Sequence, residues 1–443
     1  MPADAFDVVV VGSGPGGYVA AIRAAQLGLR TAVVEREGTV GGRCLNHACI
    51  PAKAVLRSAD LLSEVAHAAE LGIEVDGAPR VDWGAIGARR ARVIETLTGG
   101  VAGLLKKNGV ALVAGTGTLT PEGDVRVGDR VLSAARATVL ATGSVRAALP
   151  GLDYGGNVIG TEEAWRLDAL PATMAVIGAG ASGAEIASAY ARLGTAVTLY
   201  EGLDRVLPTE DEDISKVALR GLRAQGIDVR TGTFYDGQEA DWVVIAAGRA
   251  PDVADLGLDA AGVARDERGL VAVDGTLCTS HPKVYAIGDL VPGPALAHKA
   301  SEEGVIAVEA AAGLDPHPLA LADIPRATFC TPNVGSFGLT ERQARDAGHD
   351  VAIGKVPYGA VGAGTVYGDR AGLIKVIGDR ATGELLGGHV VGAKATELIQ
   401  ELVTAKLAEA GYADVARMIH GHPTLSEGIL EAARAADGWL IHG

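Results

Sequence analysis

The sequence predicts an α/β chain: two parallel-sheet units built on βαβ repeats, followed by a C-terminal α+β domain. Three observations carry this. Two segments share one form, in which an apolar strand, a glycine-rich turn and a small-residue helix lead to a second strand ending in an acid. Aromatics make up only 4% of the chain while Gly alone counts 62, which suits small-residue helices packed closely on buried sheets. In the final ~120 residues the pattern changes, with strand-like stretches first and helical ones after.

The first segment, DVVVVGSGPGGYVAAIRAAQLGLRTAVVERE from Asp7, sets Gly12, Gly14 and Gly17 in the turn between strand and helix. Glycine permits the tight turn and lets a pyrophosphate approach the amides of a helix N-terminus. Gly28 ends the helix, and Glu35 stands where a carboxylate meets the ribose hydroxyls of an adenosine. Residues 55–110 read as mostly helical with a break at 72–79, and short β-like runs fill 110–140. ATVLATGS is a buried strand and turn, and Pro150-Gly151 marks the crossing into the second unit.

That unit opens with MAVIGAGASGAEIASAYARLGTAVTLYE from Met174, where Gly178, Gly180 and Gly183 repeat the turn, Gly194 ends the helix and Glu201 closes the second strand. Glu201 suits the free 2′-hydroxyl of NAD and repels the 2′-phosphate of NADP; Arg205 is the one nearby hint of the opposite. Two dinucleotide sites call for two cofactors, and FAD with NAD is the economical pairing, because hydride passes from one ring to the other. WVVIAAGRAPD and KVYAIGDL are two further strand-and-turn pieces. Only TGTFYDGQEAD bridges Arg230 to Trp242, a short connection for such a unit. The C-terminal stretches ATFCTP, GLIKVIG and ELLGGHVVG read as an antiparallel sheet, with helices over 396–410 and 426–440.

The net charge of −15 argues against nucleic acid or an anionic membrane as partner. The first residues lead straight into a strand rather than a secretion signal, and no apolar run reaches the ~18–20 residues of a membrane span. The expectation is a soluble, cytoplasmic protein. Four cysteines in 443 residues are too few for a secreted disulfide framework.

Two of them form Cys44-Leu45-Asn46-His47-Ala48-Cys49, soon after the first βαβ unit and at the expected start of a helix. A cysteine at a helix N-terminus is expected to have a lowered pKa, and one turn brings the two sulfurs within disulfide reach. A redox pair, two inert buried thiols and half of a zinc site all fit that spacing. No second CxxC or His pair completes the zinc site.

GGRCLNHACIPAK resembles the active-site signature of the pyridine nucleotide-disulfide oxidoreductases, and the resemblance runs the whole chain in order. ATGS at 141–144 resembles the family's first strand-end motif, and YAIGDL at 285–290 its second. GPALAHKASEEG from Gly293 and HGHPTLSE from His420 resemble the dihydrolipoyl dehydrogenase branch. The resemblance implies Rossmann-like dinucleotide-binding domains: an FAD domain at 1–152 with 273–322, a shortened NAD domain at 153–272, and an interface or dimerisation domain at 323–443. It implies FAD contacts at Gly12, Gly14, Gly17, Glu35, Thr142, Gly143, Gly288, Asp289, Leu296 and Ala297, and NAD contacts at Gly178, Gly180, Gly183, Glu201 and Gly248. Cys49 is then the thiol beside the flavin and Cys44 the one that meets substrate. His422, oriented by Glu427 and supplied by the other subunit of a homodimer, shuttles the proton. Lys53 and Glu185 match the family's ion pair beside the flavin.

The chain departs from the family at Arg43, usually Thr, and more mildly at His47 and Ala52. Ala181 stands where a bulkier residue often covers the nicotinamide pocket, and Asn333 and Ala363 alter the interface domain. The expected activity is transfer of electrons between a dihydrolipoyl-type dithiol and NAD through FAD. Three alternatives stand beside it. One is a specialised relative acting on a pathway-specific dithiol, with or without a carrier-protein or multienzyme partner. The others are an NADH:acceptor flavin reductase of diaphorase or quinone type and a non-catalytic flavoprotein subunit.

Overall fold

The computed structural model describes residues 4–443 and divides into two compact units. The first unit runs to Ala54 and adds Ala85–Ala148 and Gly248–Leu321. Its sheet places Ala111–Ala114, Thr31–Glu35, Ala5–Val11 and Arg130–Leu140 side by side and parallel, with Val284–Ala286 also parallel to Arg130–Leu140. Val8, Val9 and Val10 are fully buried, as a continuous apolar run in a parallel sheet requires. Helix Pro15–Gln26 starts on proline, which costs it no hydrogen bond, and buries Ala20, Ala21 and Ala24. It packs against helix Ala297–Ala311 so tightly that a Cβ on Gly304 would lie 2.6 Å from the Gly16 carbonyl oxygen. Small residues in both helices make that approach possible.

The second unit holds Val55–Gly84, Leu149–Ala247 and Ala322–Gly443. A parallel sheet orders Asp228–Thr231, Ala196–Glu201, Thr173–Ile177, Trp242–Ile245 and Val158–Gly160. An antiparallel sheet orders Arg326–Thr328, Val334–Gly338, Leu385–Val391, Leu373–Asp379 and Val351–Pro357. Helix Glu427–Ala436 lies on the antiparallel sheet at backbone contact, since a Cβ on Gly354 would meet the Ala432 carbonyl oxygen. The α/β class with an antiparallel C-terminal sheet is as the sequence predicts.

A buried charge clasp ties the two sheets of this unit together. Lys375, fully buried, lies 2.8 Å from each of Asp211, Asp213 and Glu341. Asp211 caps helix Glu212–Ala224 of the parallel part, and Glu341 opens helix Glu341–Asp346 of the antiparallel part. Burial pushes the Asp213 carboxyl up, but Lys355 and Lys375 win and hold it at about 2. A buried ammonium ringed by carboxylates compensates its desolvation only while the ring is complete.

The compact units group residues differently from the expected domains in three places, the first being residues 55–84, which fall in the second unit rather than with the rest of 1–152. Residues 248–272 belong to the first unit, because Arg249–Pro251 pairs antiparallel with Ser144–Arg146 and further bridges (Arg265 to Val271, Val273 to Thr279) lead on to Val284. The C-terminal domain shares one compact unit with the second βαβ fold, where the clasp and the contact of Pro332 on Gly221 hold it. Among the described residues no helix is long and apolar enough to cross a membrane.

Candidate active site

The first glycine loop is tied to the strand beside it by its own acid. Glu35, buried at the end of Thr31–Glu35, accepts from Ser13 N at 3.0 Å, from Ser13 Oγ and from Glu37 N at 2.8 Å. Gly12 sits at φ +101°, and a Cβ there would strike the Ala141 carbonyl oxygen. Gly14 faces open space. The loop leaves bare amides at the start of helix Pro15–Gln26, whose first turn carries no acid, a setting for phosphate oxygens.

The loop forms the floor of a cleft of about 1220 Å³, its mouth included, lying wholly within the first unit. Glu35, Arg36 and Asp252 line the cleft, as do Thr142, Gly143, Asp289, Leu296 and Ala297. Arg43, Cys44 and Cys49 line it too. Ser144 Oγ donates to Asp289, and Thr142 Oγ1 donates to Asp252 O at 2.7 Å. Leu296 is the N-cap of helix Ala297–Ala311. Gly288 is held by Glu303, which accepts from its N–H at 2.7 Å, and by Lys299, which donates to its carbonyl at 3.0 Å. Lys299 and Glu303 are almost fully buried and pair at 2.7 Å, so the turn at Gly288 rests on an ion pair.

Cys44 lies in the short helix Gly42–Asn46, and Cys49 is the first residue of helix Cys49–Ala66. Both are reduced thiols here. The sequence predicts a lowered pKa for this pair, and for Cys44 the structure shows the reverse. A hydrogen bond with Cys49 pushes the Cys44 thiol up, burial and the Cys49 charge add to it, and Lys53 and Arg43 pull it down without prevailing. The two sulfurs therefore lie within hydrogen-bond reach of each other. Tyr18 is raised by burial and by the charge of Cys44.

The second loop repeats the first in the other unit. Glu201 accepts from Ala179 N at 2.7 Å and from Leu203 N at 2.9 Å, and Gly178 sits at φ +99°. Gly180 faces open space, and Ala181 and Ser182 are exposed at the start of helix Ala181–Leu193. Gly248 follows Ala247, whose Cα lies 3.2 Å from where a Cβ on Gly178 would sit, and its carbonyl accepts from Ala147 N. Arg205 turns back on its own loop, donating to Pro208 O at 3.0 Å. Glu185, buried in the same helix, accepts from Phe329 N at 2.9 Å.

Near the C-terminus His422 Nδ1 and Glu427 Oε1 lie 2.9 Å apart, and the His422 side chain is 75% exposed. Burial raises the Glu427 carboxyl, but the Thr424 N–H and His422 outweigh it and hold it below the usual carboxylate range. A second pair stands beside this one: His420 lies 2.6 Å from Glu401, which raises its pKa.

Several site residues escaped the sequence reading. Ser13 was visible inside the glycine motif as the one hydroxyl able to reach Glu35. Lys299 and Glu303 carried a signal in their four-residue spacing on a helix. Arg36 and Asp252, paired at 2.7 Å, carried none.

The parallel sheets, the duplicated glycine loops and the paired cysteines together define a nucleotide-dependent thiol–disulfide oxidoreductase. Residues 6–304 match the family Pyridine nucleotide-disulphide oxidoreductase and residues 324–433 its dimerisation domain; the chain belongs to this family. It uses FAD and NAD(H). Among its relatives, the dihydrolipoyl dehydrogenase of Rhizobium etli is 39% identical over 99% of this chain and 100% of its own length. That of Thermus scotoductus is 41% identical over 99% of this chain and 98% of its own. Among solved structures, LpdA of Mycobacterium tuberculosis superposes with a TM-score of 0.89 at 27% identity, covering 96% of this chain and 98% of that one. The HOCl-induced flavoprotein disulfide reductase RclA of Escherichia coli gives 0.85 at 26% identity, covering 96% and 99%.

Proposed function

We propose that this protein oxidises a dihydrolipoyl-type dithiol with NAD, through Cys44, Cys49 and FAD, as a cytoplasmic homodimer. The observation that carries the reading is the pair of thiols within hydrogen-bond reach at the wall of a cleft built on a dinucleotide loop. Gly12, Gly14 and Gly17 cradle the FAD pyrophosphate, Glu35 the adenosine, and Asp289, Thr142, Gly143, Gly288, Leu296 and Ala297 the rest. Gly178, Gly180, Gly183 and Glu201 hold NAD. FAD, when bound, would supply the two-electron chemistry that links the thiol pair to NAD.

The chain's own residues do the sulfur chemistry. A substrate thiolate attacks Cys44 Sγ of the oxidised pair, and Cys49 leaves as the thiolate. The second substrate thiol then closes the substrate disulfide and releases Cys44. The two protons lost by the dithiol pass through His422. Glu427 engages Nδ1, so the working nitrogen is Nε2. The largely exposed imidazole serves the partner subunit's cysteines, an arrangement supported by the match to a dimerisation domain. Lys53, whose charge acts on Cys44, places a cation beside the redox ring. Arg43 favours a specialised substrate: its charge acts on Cys44 from the cleft wall, which suits a dithiol bearing a carboxylate. A carrier-protein or multienzyme partner would present such a dithiol.

Replacing Cys44 by Ser tests the reading. We expect dihydrolipoamide:NAD turnover to fall about 10³-fold or more while FAD content and flavin reduction by NADH persist. Undiminished turnover would sink the disulfide route and leave an NADH:acceptor flavin reductase in its place.

A further inference from the structure

Beyond Glu201 the chain carries an exposed aromatic that the dinucleotide loop does not explain. The connection from Asp228–Thr231 to Trp242–Ile245 contains no strand or helix, yet it is anchored throughout. Gly232 N donates to Leu203 O at 2.7 Å and Thr233 N to Glu201 O at 3.0 Å, binding it to the turn that follows Glu201. On its far side Tyr235 stacks edge-on against Tyr200 at 5.4 Å between centroids, and Tyr235 Oη donates to Gln238 O at 2.8 Å. Tyr200 Oη in turn bonds Asp236 at 3.1 Å and Gln238 at 2.9 Å. Between these anchors Phe234 turns outward, 82% exposed.

Its ring lies against Gly202, where a Cβ would come within 2.8 Å of Cε1; the missing side chain makes room for it. Leu203, the next residue, is 56% exposed. Two large apolar side chains, Phe234 and Leu203, thus stand in water beside a strand end whose acid suits a ribose. A ribose held by Glu201 carries its base onto the adjoining Gly202–Leu203 turn.

We propose that Phe234 is the adenine platform of the NAD site, stacking on the base while Glu201 holds the sugar. The inference rests on the assignment of NAD to this loop. It makes Phe234 a specificity-determining residue for the adenine half of the dinucleotide, supplied by the shortened connection itself.

Titration of the FAD-loaded protein with ADP-ribose tests this, alongside steady-state reduction of the flavin by NADH and by reduced nicotinamide mononucleotide, which lacks the adenine. In Phe234→Ala we expect ADP-ribose to bind about 10–100-fold more weakly, from the usual worth of base–aromatic stacking. KM for NADH should rise with kcat unchanged, and KM for the mononucleotide should not move. Phe234→Trp should restore ADP-ribose affinity. An unchanged ADP-ribose affinity in Phe234→Ala overturns the proposal and leaves the redox reading standing, as does a parallel rise in KM for the mononucleotide. Failure of the unaltered protein to bind ADP-ribose overturns both.

Discussion

Gly12 and Gly178 hold the same post in two βαβ units, with φ of +101° and +99° and N–H groups donating at 2.8 Å to Val34 O and Tyr200 O. The duplication extends to the acids, since Glu35 and Glu201 each brace their own loop through two backbone N–H groups. The surroundings differ. Around the first loop other chain segments close in: a Cβ on Gly16 would meet Ala300 O at 2.8 Å, and one on Gly42 would meet Gly14 Cα at 2.7 Å. Around the second, Ala181 and Ser182 lie open to solvent. One backbone device therefore serves two purposes. Under the function proposed above, the walled-in loop would retain FAD through many turnovers and the open one would let NAD come and go.

The same substitution in the two loops puts that contrast at risk. Gly17→Ala forces a Cβ to within 1.9 Å of Gly12 O, and Gly183→Ala forces one to within 1.8 Å of Gly178 O. The first should yield protein without FAD, read as loss of the visible flavin absorbance. The second should yield yellow protein whose KM for NADH rises about tenfold or more, since the amide cradle loses its shape. Equal loss of FAD from both variants would break the comparison.

A smaller effect sharpens it, and falls on the second unit alone. The Asp213 carboxyl, at about 2 in the folded state, has an ordinary value of ~3.9 when unfolded. Its contribution is whole above pH ~4 and disappears as pH falls through ~2. Asp213→Asn should thus cost about 1–2 kcal/mol at pH 7, with the gap to the unaltered protein narrowing steadily below pH ~4. Urea midpoints at pH 7 and pH 3 check the sign; an equal gap at both would remove Asp213 from the clasp.

What the sequence made legible was local. Glycine spacing, the acid at a strand end and the Cys44 to Cys49 interval each sit within one βαβ unit or one turn, where a few residues determine the geometry. What it hid was pairing between distant segments. The strand Arg249–Pro251 joins the first unit because it meets Ser144–Arg146, a hundred residues away, and no periodicity marks such a partner. Strands Val334–Gly338 and Val351–Pro357 went unread because VGSFG and VAIGKVP carry glycines where a buried strand usually shows branched residues. The rise of the Cys44 pKa was equally out of view: spacing suggested a helix-end effect, and the proximity of a second sulfur outweighs it. Lys375 and its carboxylates lie up to 164 residues apart, so nothing in the chain announced the clasp.

The exposure of His422 has a genetic consequence. If each imidazole works on the partner's cysteines, no single chain owns a complete centre, and two dead proteins can repair each other. A Cys44→Ser subunit still offers its His422, and a His422→Gln subunit still offers its thiols. Co-expressed and mixed at random, they form mixed dimers with one intact centre, and about a quarter of the normal activity should return. Lysates mixed after assembly should return less, in proportion to how slowly the subunits exchange.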